Sequence, residues 1–304
     1  MRLTFLGTAA ARPTVGRNVS SLLVQREGDV MMFDCGEGTQ RQMMRYGTGF
    51  SFGDIFFTHL HADHFLGVIG LLRTLGLQAR EEPMDLWTPR GTEPILRQAV
   101  ELGVERVPFE VRINGVDAGE KVARNGYDIV PFRVSHGGGK AFGWALVEHD
   151  RLGRFDAEKA RALGIPEGPL WGKLHHGQPV EVDGRTITAD EVVGAPRPGR
   201  RVVISGDTRP CQATRDIAAN ADLLVHEATF AQDEADRAAH TGHSTAREAA
   251  ELAASANVLR LVLTHFSPRY ADDPRLLEKE ARAVFPETVA AHDGMVVEVP
   301  FRAE

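Results

Sequence analysis

A short segment near residue 60 concentrates side chains that bind metal ions. His59, His61, Asp63 and His64 occupy four of six consecutive positions, directly after the apolar run DIFF. No single face of a strand or helix could present all four, so the spacing predicts a loop that converges them on one point. Imidazole and carboxylate ligands together suit Zn²⁺, and iron or manganese are other occupants. The alternative, a surface loop in which Asp63 caps the next helix, gives no reason for the neighbouring imidazoles.

Four further candidates end apolar runs that are typical of strands. His136 ends DIVPFRVSH, Asp207 ends RVVISGD, His226 lies in DLLVHEA, and His265 ends LRLVLTH. Each one alone could be a hydrogen-bonded core histidine or a turn aspartate. In α/β proteins functional groups gather beyond the carboxyl ends of strands, so the four together predict a common site.

The number of candidate ligands indicates two metal ions rather than one, because a tetrahedral ion uses four. Two ions about 3.5–4 Å apart lower the pKa of a water molecule and stabilise both oxygens of a displacement at phosphorus. Asp207 could bridge the ions through its two oxygens, and Asp63 could accept the proton of the attacking water. The seven candidate ligands are His59, His61, Asp63, His64, His136, Asp207 and His265.

The segments HEAT and GHST offer an acid–base pair. Glu227 could orient and polarise His243, which would donate a proton to the leaving oxygen. The alternative is purely structural, because Thr245 and Glu248 form a T-x-x-E capping box and GHST could simply begin a helix.

Apolar strand-like runs alternate with helical patterns over the chain and predict an α/β architecture. The helical patterns are FLGVIGLLRTLGLQ, EPILRQAVELG, TAREAAELAASANV and PRLLEKEARAVF. We expect one domain over residues 1–304, with residues 148–199 as an inserted flexible arm. This Gly- and Pro-rich insertion shows no apolar pattern that would give it an interior of its own.

Composition narrows the classes of function. The 304 residues carry a net charge of -7, which argues against a general nucleic-acid binder, so an RNA substrate would need local basic patches. The lack of a signal peptide and of long apolar runs predicts a cytoplasmic protein with no membrane contact. Cys35 and Cys211 show no C-x-x-C spacing and predict reduced thiols, so a metal must rest on His and Asp. Candidate basic residues are Arg12, Arg17, Arg41, Arg45, Arg151, Arg154, Lys159, Arg161 and Lys173.

The motifs resemble the metallo-β-lactamase superfamily, whose H-x-H-x-D-H signature is formed here by residues 59–64. More narrowly, the chain resembles ribonuclease Z along nearly its whole length. The opening FLGTAAARPTVGRN is similar to that family's N-terminal strand and phosphate-contacting loop. FDCGEGTQRQ, SGDTRP, HEATF, GHST and THFSPRY are similar to its further motifs, and GIPEGPLWGKL is similar to its tRNA-gripping arm.

The resemblance implies a metallo-β-lactamase αββα sandwich with the arm inserted as an exosite. It implies two zinc ions per subunit: His59, His61 and His136 would hold one, Asp63, His64 and His265 the other, and Asp207 would bridge them. Asp63 would accept the proton from water. Substrate contacts would come from Arg17, Asn18, Gly168, Pro169, Lys173 and Arg269.

The implied activity is endonucleolytic removal of the 3′ trailer from precursor tRNA, leaving a 3′-hydroxyl on the tRNA. The implied assembly is a homodimer in which one subunit's arm presents RNA to the other's site, and no DNA substrate is expected. Two alternatives stay open at this point. One is a dinuclear phosphodiesterase or lactonase acting on a small molecule, and the other is a non-catalytic RNA-binding member of the fold.

Overall fold

The computed structural model describes residues 1–270 and 273–302. The chain divides into two compact units, one formed by Met1–Val147 with Arg201–Glu304 and the other by Glu148–Arg200. The smaller unit begins where the sequence becomes rich in Gly and Pro. Every helix within the described residues is too short or too polar to cross a membrane.

Two mixed sheets form the framework of the larger unit. The first contains β1 (Arg2–Gly7), β2 (Ser21–Arg26), β3 (Asp29–Cys35), β4 (Asp54–Phe56), β5 (Met84–Pro89), β6 (Val111–Val116) and β16 (Val296–Glu298), in the order β16-β1-β2-β3-β4-β5-β6. The second contains β7 (Val122–Arg124), β8 (Tyr127–Arg133), β9 (Phe142–Glu148), β12 (Arg201–Ile204), β13 (Leu223–Glu227), β14 (Leu261–Thr264) and β15 (Thr288–Ala290), in the order β15-β14-β13-β12-β9-β8-β7.

The alternation of side chains along the strands builds an apolar layer between the sheets. In β1, Leu3 and Phe5 lie in this layer, whereas Leu6 belongs to the layer on the other face. In β13, Leu223 likewise lies between the sheets while Leu224 packs outward. This two-residue period is the pattern of strands that are buried on both faces.

Helices cover the two outer faces and complete the predicted αββα sandwich. Over the first sheet, α3 (Gly67–Leu77) buries Val68, Leu71 and Leu72. Over the second, the alanine-rich face of α9 (Ala246–Ser255) packs closely. The helices of the larger unit are α1 (Thr39–Tyr46), α2 (Ala62–Phe65), α3 (Gly67–Leu77), α4 (Glu93–Glu101), α7 (Gln212–Ile217), α8 (Ala235–Thr241), α9 (Ala246–Ser255) and α10 (Arg275–Arg282).

The smaller unit contains α5 (Ala157–Ala162), α6 (Pro169–His175) and the antiparallel hairpin of β10 (Val180–Val182) and β11 (Arg185–Ile187). The sequence predicts no apolar interior here, and this prediction is wrong. The elements are so short that their apolar residues occur singly and form no periodic run, yet they converge in a small core. That core contains Ala160, Ile165, Leu174, Val180, Ile187 and Val192.

Candidate metal centre

The histidine-rich segment forms the predicted loop at the carboxyl end of β4 and enters the short helix α2. Because β3 runs parallel to β4, Asp34 at the end of β3 lies beside this loop. Its carboxylate accepts hydrogen bonds from the backbone N–H of Thr58 at 2.7 Å and from the Thr58 hydroxyl at 2.8 Å. The neighbouring strand therefore fixes the start of the loop that carries residues 59–64.

The second sheet supplies the other candidate ligands from the ends of three strands. His136 follows β8, Asp207 follows β12 and His265 follows β14. Parallel pairing of β12, β13 and β14 places the carboxyl ends of these strands at one edge. The sheets thus bring together side chains that are more than 200 positions apart in the sequence, as the strand-end pattern predicts.

One group of ligand atoms comprises His59, His61, His136 and Asp207, all within 4.8 Å of one another. The Nδ1 of His61 lies 3.3 Å from the Nε2 of His136. The Oδ2 of Asp207 lies 3.7 Å from the Nε2 of His59 and 3.9 Å from that of His136. Zinc bonds of about 2.0–2.1 Å at tetrahedral angles separate neighbouring ligand atoms by about 3.3 Å, so this spacing suits one ion.

A second group comprises Asp63, His64 and His265, with Asp207 beside it. The Oδ1 of Asp207 lies 3.3 Å from the Nε2 of His64 and 3.3 Å from that of His265. The Oδ2 of Asp63 lies 3.4 Å from the same His265 nitrogen. Asp207 therefore presents one oxygen to each group, which is the arrangement a bridging carboxylate needs.

Asp34 and Thr58 also determine which nitrogen of two histidines faces the centre. The Thr58 hydroxyl donates to Asp34, so its oxygen can only accept from the Nδ1 of His59 at 3.0 Å. The Nδ1 of His64 donates to the Asp34 carboxylate at 2.7 Å. Both rings are thereby held in the tautomer whose Nε2 lone pair is available to a cation.

Gly242 and Thr229 fix two more of the rings in the same way. The Nδ1 of His136 donates to the carbonyl of Gly242 at 2.9 Å. The Thr229 hydroxyl donates to Glu227 at 2.7 Å, so its oxygen accepts from the Nδ1 of His265 at 3.0 Å. Second-sphere partners of this kind orient metal-binding histidines and raise their basicity.

The donor set fits a bound cation on an independent observation. The Nε2 of His59 and the Oδ1 of Asp207 are buried and have no hydrogen-bond partner within the described residues. Leaving such atoms without a partner is unfavourable in a protein interior, and a divalent ion between them would satisfy both. The site is thus able to bind divalent metal.

Two residues of the centre adopt backbone conformations that non-glycine residues seldom take. Asp34 has φ 57° and His265 has φ 59°. Such strain costs on the order of 1–3 kcal/mol and persists at functional sites where the surroundings hold it in place. Here it turns the Asp34 carboxylate and the His265 ring toward the ligand cluster.

Glu227 and His243, which the sequence predicts to be an acid–base pair, lie together beside the cluster. The Nδ1 of His243 lies 2.8 Å from the Oε1 of Glu227 and 4.0 Å from the Oδ2 of Asp207. The Glu227 carboxylate, fully buried, also accepts from the backbone N–H of Thr208 at 2.7 Å and of Ser244 at 3.1 Å. These donors hold Glu227 in one orientation, so it positions the imidazole.

This pair also controls the charge of His243. Burial disfavours the protonated ring, but the charge and hydrogen bond of Glu227 outweigh burial and raise the pKa of His243 to about 9. Burial likewise opposes ionisation of Glu227, yet His243 and its other partners keep the pKa of that carboxyl below its ordinary value. An ionised carboxylate beside a protonated imidazole is the state a proton donor requires at neutral pH.

The structural alternative for GHST is also present. Thr245 and Glu248 form a complete capping box at the start of α9. The segment therefore begins a helix and supplies His243 at the same time, so the two interpretations are compatible.

The cluster opens into a pocket of about 480 Å³. One wall is the segment that follows β1, where the backbone N–H of Ala11 donates to the Oδ2 of Asp63 at 2.7 Å. Phe230 and Arg237 also line the pocket. Arg12 and Arg237 are exposed at this pocket, which suits an anionic substrate.

His226 is not part of the cluster. Its ring is fully buried with the Nδ1 directed to the backbone carbonyl of Glu227 at 2.7 Å. The strand period explains this, because adjacent residues of β13 point to opposite faces and Glu227 takes the site-facing position.

Arg17 is in a different environment from that expected of a substrate contact. It is only 7% exposed, and its guanidinium donates to the Thr8 hydroxyl at 2.7 Å and to the carbonyl of Ala291 at 2.9 Å. In the structure Arg17 thus joins the N-terminal segment of the larger unit to its C-terminal segment. The backbone N–H of Asn18 donates to Asp293, and Arg269 is paired with Glu234 at 2.6 Å.

The remaining predicted contacts lie in the smaller unit, where Gly168 and Pro169 begin α6 and Lys173 is exposed on it. Four residues of the site escape sequence reasoning: Asp34, Thr58, Thr229 and Gly242. Asp34 ends an apolar run. Asp207 is predicted on that criterion, and the same criterion could have identified Asp34. A backbone carbonyl such as that of Gly242 leaves no signal in the sequence.

Comparison with known proteins bears on the family to which this chain belongs. Residues 1–136 match a family model described as Anti-Pycsar protein Apyc1, and residues 173–266 match one described as Beta-lactamase superfamily domain. The ribonuclease Z of Gemmatimonas aurantiaca is 57% identical over 302 residues, which cover 99% of this chain and 96% of that protein. The ribonuclease Z of Myxococcus xanthus is 55% identical over 304 residues, covering 99% of each.

A solved structure extends the comparison to three dimensions. The human tRNase Z, short form, superposes with a TM-score of 0.71 at 28% identity, covering 99% of this chain and 100% of that one. The cluster of candidate metal ligands, the αββα sandwich and the full-length sequence identity all indicate the same family. This chain belongs to the ribonuclease Z family of the metallo-β-lactamase fold.

Proposed function

We propose that this protein is a zinc-dependent endoribonuclease that removes the 3′ trailer from precursor tRNA. Hydrolysis would leave a 3′-hydroxyl on the tRNA and a 5′-phosphate on the trailer. The observation that carries the proposal is the convergence of the seven candidate ligands in one cluster, with the Glu227–His243 pair beside it. Full-length identity of 57% to a ribonuclease Z supports the choice of substrate.

The chain's own residues have distinct roles in this reaction. His59, His61 and His136 would hold one ion, Asp63, His64 and His265 the other, with Asp207 between them. Two bound zinc ions supply a water of lowered pKa and neutralise charge at phosphorus. Asp63, oriented by the N–H of Ala11, accepts the proton that the attacking water loses.

The leaving oxygen needs a proton, and His243 provides it. Glu227 keeps the imidazole charged and oriented, and the pocket position of His243 leaves it accessible to substrate. An alkoxide leaving group gains more from this donor than an activated phenolate does, because the phenolate departs without protonation.

We further propose a cytoplasmic homodimer in which the smaller unit acts as the exosite for tRNA. Its exposed Lys173, together with Gly168 and Pro169, would contact the RNA, with no DNA substrate and no membrane contact. The segment following β1 and Arg269 would contribute contacts near the cleavage site.

A direct experiment tests the activity. The purified protein is incubated with precursor tRNAs that do and do not encode CCA, and the product ends are mapped. We expect a single endonucleolytic cut and a 3′-hydroxyl on the tRNA. Intact precursors at full zinc occupancy would contradict the proposal.

A deletion in the smaller unit separates this function from small-molecule hydrolysis. The backbones of Gly153 and Gly194 are already in close contact, so residues 154–193 can be removed and these glycines joined by a short linker. We expect precursor cleavage to fall far more than hydrolysis of bis(p-nitrophenyl) phosphate. Equal losses on both substrates would favour a small-molecule phosphodiesterase or lactonase.

A further inference from the structure

We propose that Phe230 and Arg237 form a stacking platform for one base of the precursor RNA; this inference rests on the proposed function. The base belongs to the cleavage-site nucleotide, which is the nucleotide whose 3′-oxygen leaves. Both residues line the catalytic pocket together with His243. The platform adds a contact that depends on the base of the substrate rather than on its phosphates.

The backbone holds Phe230 beside the proton donor. The N–H of Phe230 donates to the carbonyl of Ser244 at 3.4 Å, and the N–H of Ala246 donates to the carbonyl of Phe230 at 3.0 Å. These hydrogen bonds join Phe230 to the segment that carries His243. The Phe230 ring lies edge-to-face with the His243 ring, with centroids 6.3 Å apart and an interplanar angle of 63°. The buried phenyl ring is therefore a fixed surface next to His243.

Arg237 extends this surface toward the solvent. Its Cζ lies over the Phe230 ring, 5.8 Å from the centroid, which is within the range of about 6 Å for a cation–π contact. The side chain is nonetheless 53% exposed. Its ion pair with Glu234 is long at 3.8 Å, while Glu234 pairs more closely with Arg269 at 2.6 Å. The guanidinium is thus placed by the phenyl ring and stays accessible to a ligand in the pocket.

The position of His243 identifies the nucleotide that reaches the platform. The Nδ1 of His243 is bonded to Glu227, so only its Nε2 can donate to the leaving 3′-oxygen. A proton donor lies about 2.6–3.2 Å from the atom that it protonates. The base on the same ribose is then within one sugar ring of His243, where Phe230 and Arg237 also lie. The nucleotide beyond the scissile phosphate is attached through an oxygen that does not leave, so His243 does not place its base here.

The chemistry of the platform favours a base over a phosphate. A guanidinium supported by an aromatic ring presents a flat surface on which an unpaired base stacks. Every base has a π face, so such a contact tolerates differences in sequence at the cut. A contact with phosphate needs positive charge, which a lysine also supplies, whereas stacking needs the planar guanidinium. The two kinds of contact therefore predict different effects of Arg237→Lys.

The test uses full-length zinc-loaded protein and precursor tRNAs with a purine, a pyrimidine or no base at the nucleotide immediately before the mapped cut. Arg237→Lys keeps the charge and removes the plane. It should lower kcat/KM on the order of tenfold for the purine substrate, less for the pyrimidine and much less for the substrate without a base. Arg247→Lys is the matched control, because Arg247 is exposed on α9, pairs with Glu251 at 3.0 Å and does not line the pocket. Its effect should not depend on the base.

Binding without cleavage gives an independent measurement. A labelled tRNA that ends at the cleavage-site nucleotide, with or without its base, is titrated with protein and followed by fluorescence anisotropy. Removal of the base should weaken binding to wild type and have a smaller effect with Arg237→Lys, because the two changes remove the same contact. Full activity of Arg237→Lys, as a phosphate contact predicts, or an equal loss on the substrate without a base would overturn the stacking platform. Absence of precursor cleavage by wild type would instead refute the proposed function, while the binding measurements would still decide the role of Arg237.

Discussion

Asp63 has two contacts that suggest different roles. Its Oδ2 accepts from the N–H of Ala11 and lies beside the Nε2 of His265. Burial favours the neutral carboxyl, but His265 and His64 hold the pKa of Asp63 below its ordinary value, so it remains an anion. An anionic carboxylate can bind a metal and accept a proton. The amide of an asparagine at this position could only accept the hydrogen bond from Ala11 that holds the loop in place.

Replacing Asp63 separates these roles. Asp63→Ala should lower kcat for trailer removal by about 10²-fold or more, because a proton acceptor is lost, and RNA binding should be largely kept. Asp63→Asn keeps an acceptor for Ala11 and should be just as inactive. Single-turnover cleavage and RNA affinity are measured for both, and near wild-type activity of the asparagine variant would leave Asp63 only the loop-holding role.

His243 should give the reaction an alkaline limit. A proton donor with a pKa of about 9 is charged below that pH and neutral above it, so precursor cleavage should decline as the pH rises through about 9. Glu227→Gln removes the charge that raises this pKa, and the decline should move to lower pH. The pH profile of kcat/KM measures both.

Bis(p-nitrophenyl) phosphate is the matched control for His243, because its leaving group needs no proton. His243→Ala should slow RNA cleavage by about 10²–10⁴-fold and affect the activated ester much less. An equal effect on both substrates would show that His243 is not the proton donor and only forms part of the loop that begins α9.

The residues that could be predicted from the sequence are those whose chemistry is exceptional for their position. Histidines and aspartates at strand ends are few, so the seven candidate ligands could be selected, and His243 could be selected from the GHST segment instead. Arg17 could not be interpreted in this way, because nothing local shows that its guanidinium meets Thr8 and Ala291 from distant segments. The hydrogen bonds that set histidine tautomers likewise depend on contacts across the fold.

At the scale of elements, long periodic runs were predictable and short or interrupted ones were not. The patterns for α3, α4, α9 and α10 correspond to helices. The eight apolar runs that correspond to strands are LTFLGT, SSLLVQ, VMMFDCG, DIFFTH, DIVPFRVSH, RVVISGD, DLLVHEA and LRLVLTH. β5 ends at Pro89, and β9 has Gly143 near its start, which weakens a strand pattern. The helix α1 has a polar composition, and its burial of Met43 depends on the sheet below it.

Gly242 shows how the end of an element can control the metal centre. It ends α8 with φ 79°, and a Cβ there would lie 3.2 Å from the Nδ1 of His136. Gly242→Ala should cost roughly 1–2 kcal/mol in backbone strain. Displacement of His136 should also lower zinc affinity about 10–100-fold, as loss of a second-sphere partner does.

Gly47 provides the control for this prediction. It ends α1 with φ 63° and has open space where a Cβ would lie. Gly47→Ala should therefore show similar destabilisation with zinc affinity unchanged. Zinc affinity from competition with a chelator and unfolding midpoints are measured for both, and parallel loss of zinc would show that backbone strain alone affects the site.

For the larger unit as a whole, the candidate ligands come from both sheets. Residues 59–64 extend from the first sheet, whereas His136, Asp207 and His265 extend from the second. Between them the sheets share an apolar layer, which is non-directional, and polar contacts such as the ion pair of Arg124 with Asp54 at 2.7 Å. Bound ions would therefore cross-link the two sheets at one edge and fix their register more strictly than apolar packing can.

Metal removal should consequently destabilise the whole unit rather than the loop alone. A ligand present at 100 times its Kd stabilises the folded state by about 2.7 kcal/mol, which at roughly 2–4 °C per kcal/mol gives a Tm rise of about 5 °C or more. We expect chelation to lower the Tm by this amount and zinc to restore it. Asp207→Asn replaces one of the two carboxylate oxygens, each of which faces one group, with a nitrogen that cannot bind a cation, so its Tm should respond weakly to zinc. An unchanged wild-type Tm after verified zinc removal would show that the apolar layer and the polar contacts hold the sheets together without the ions.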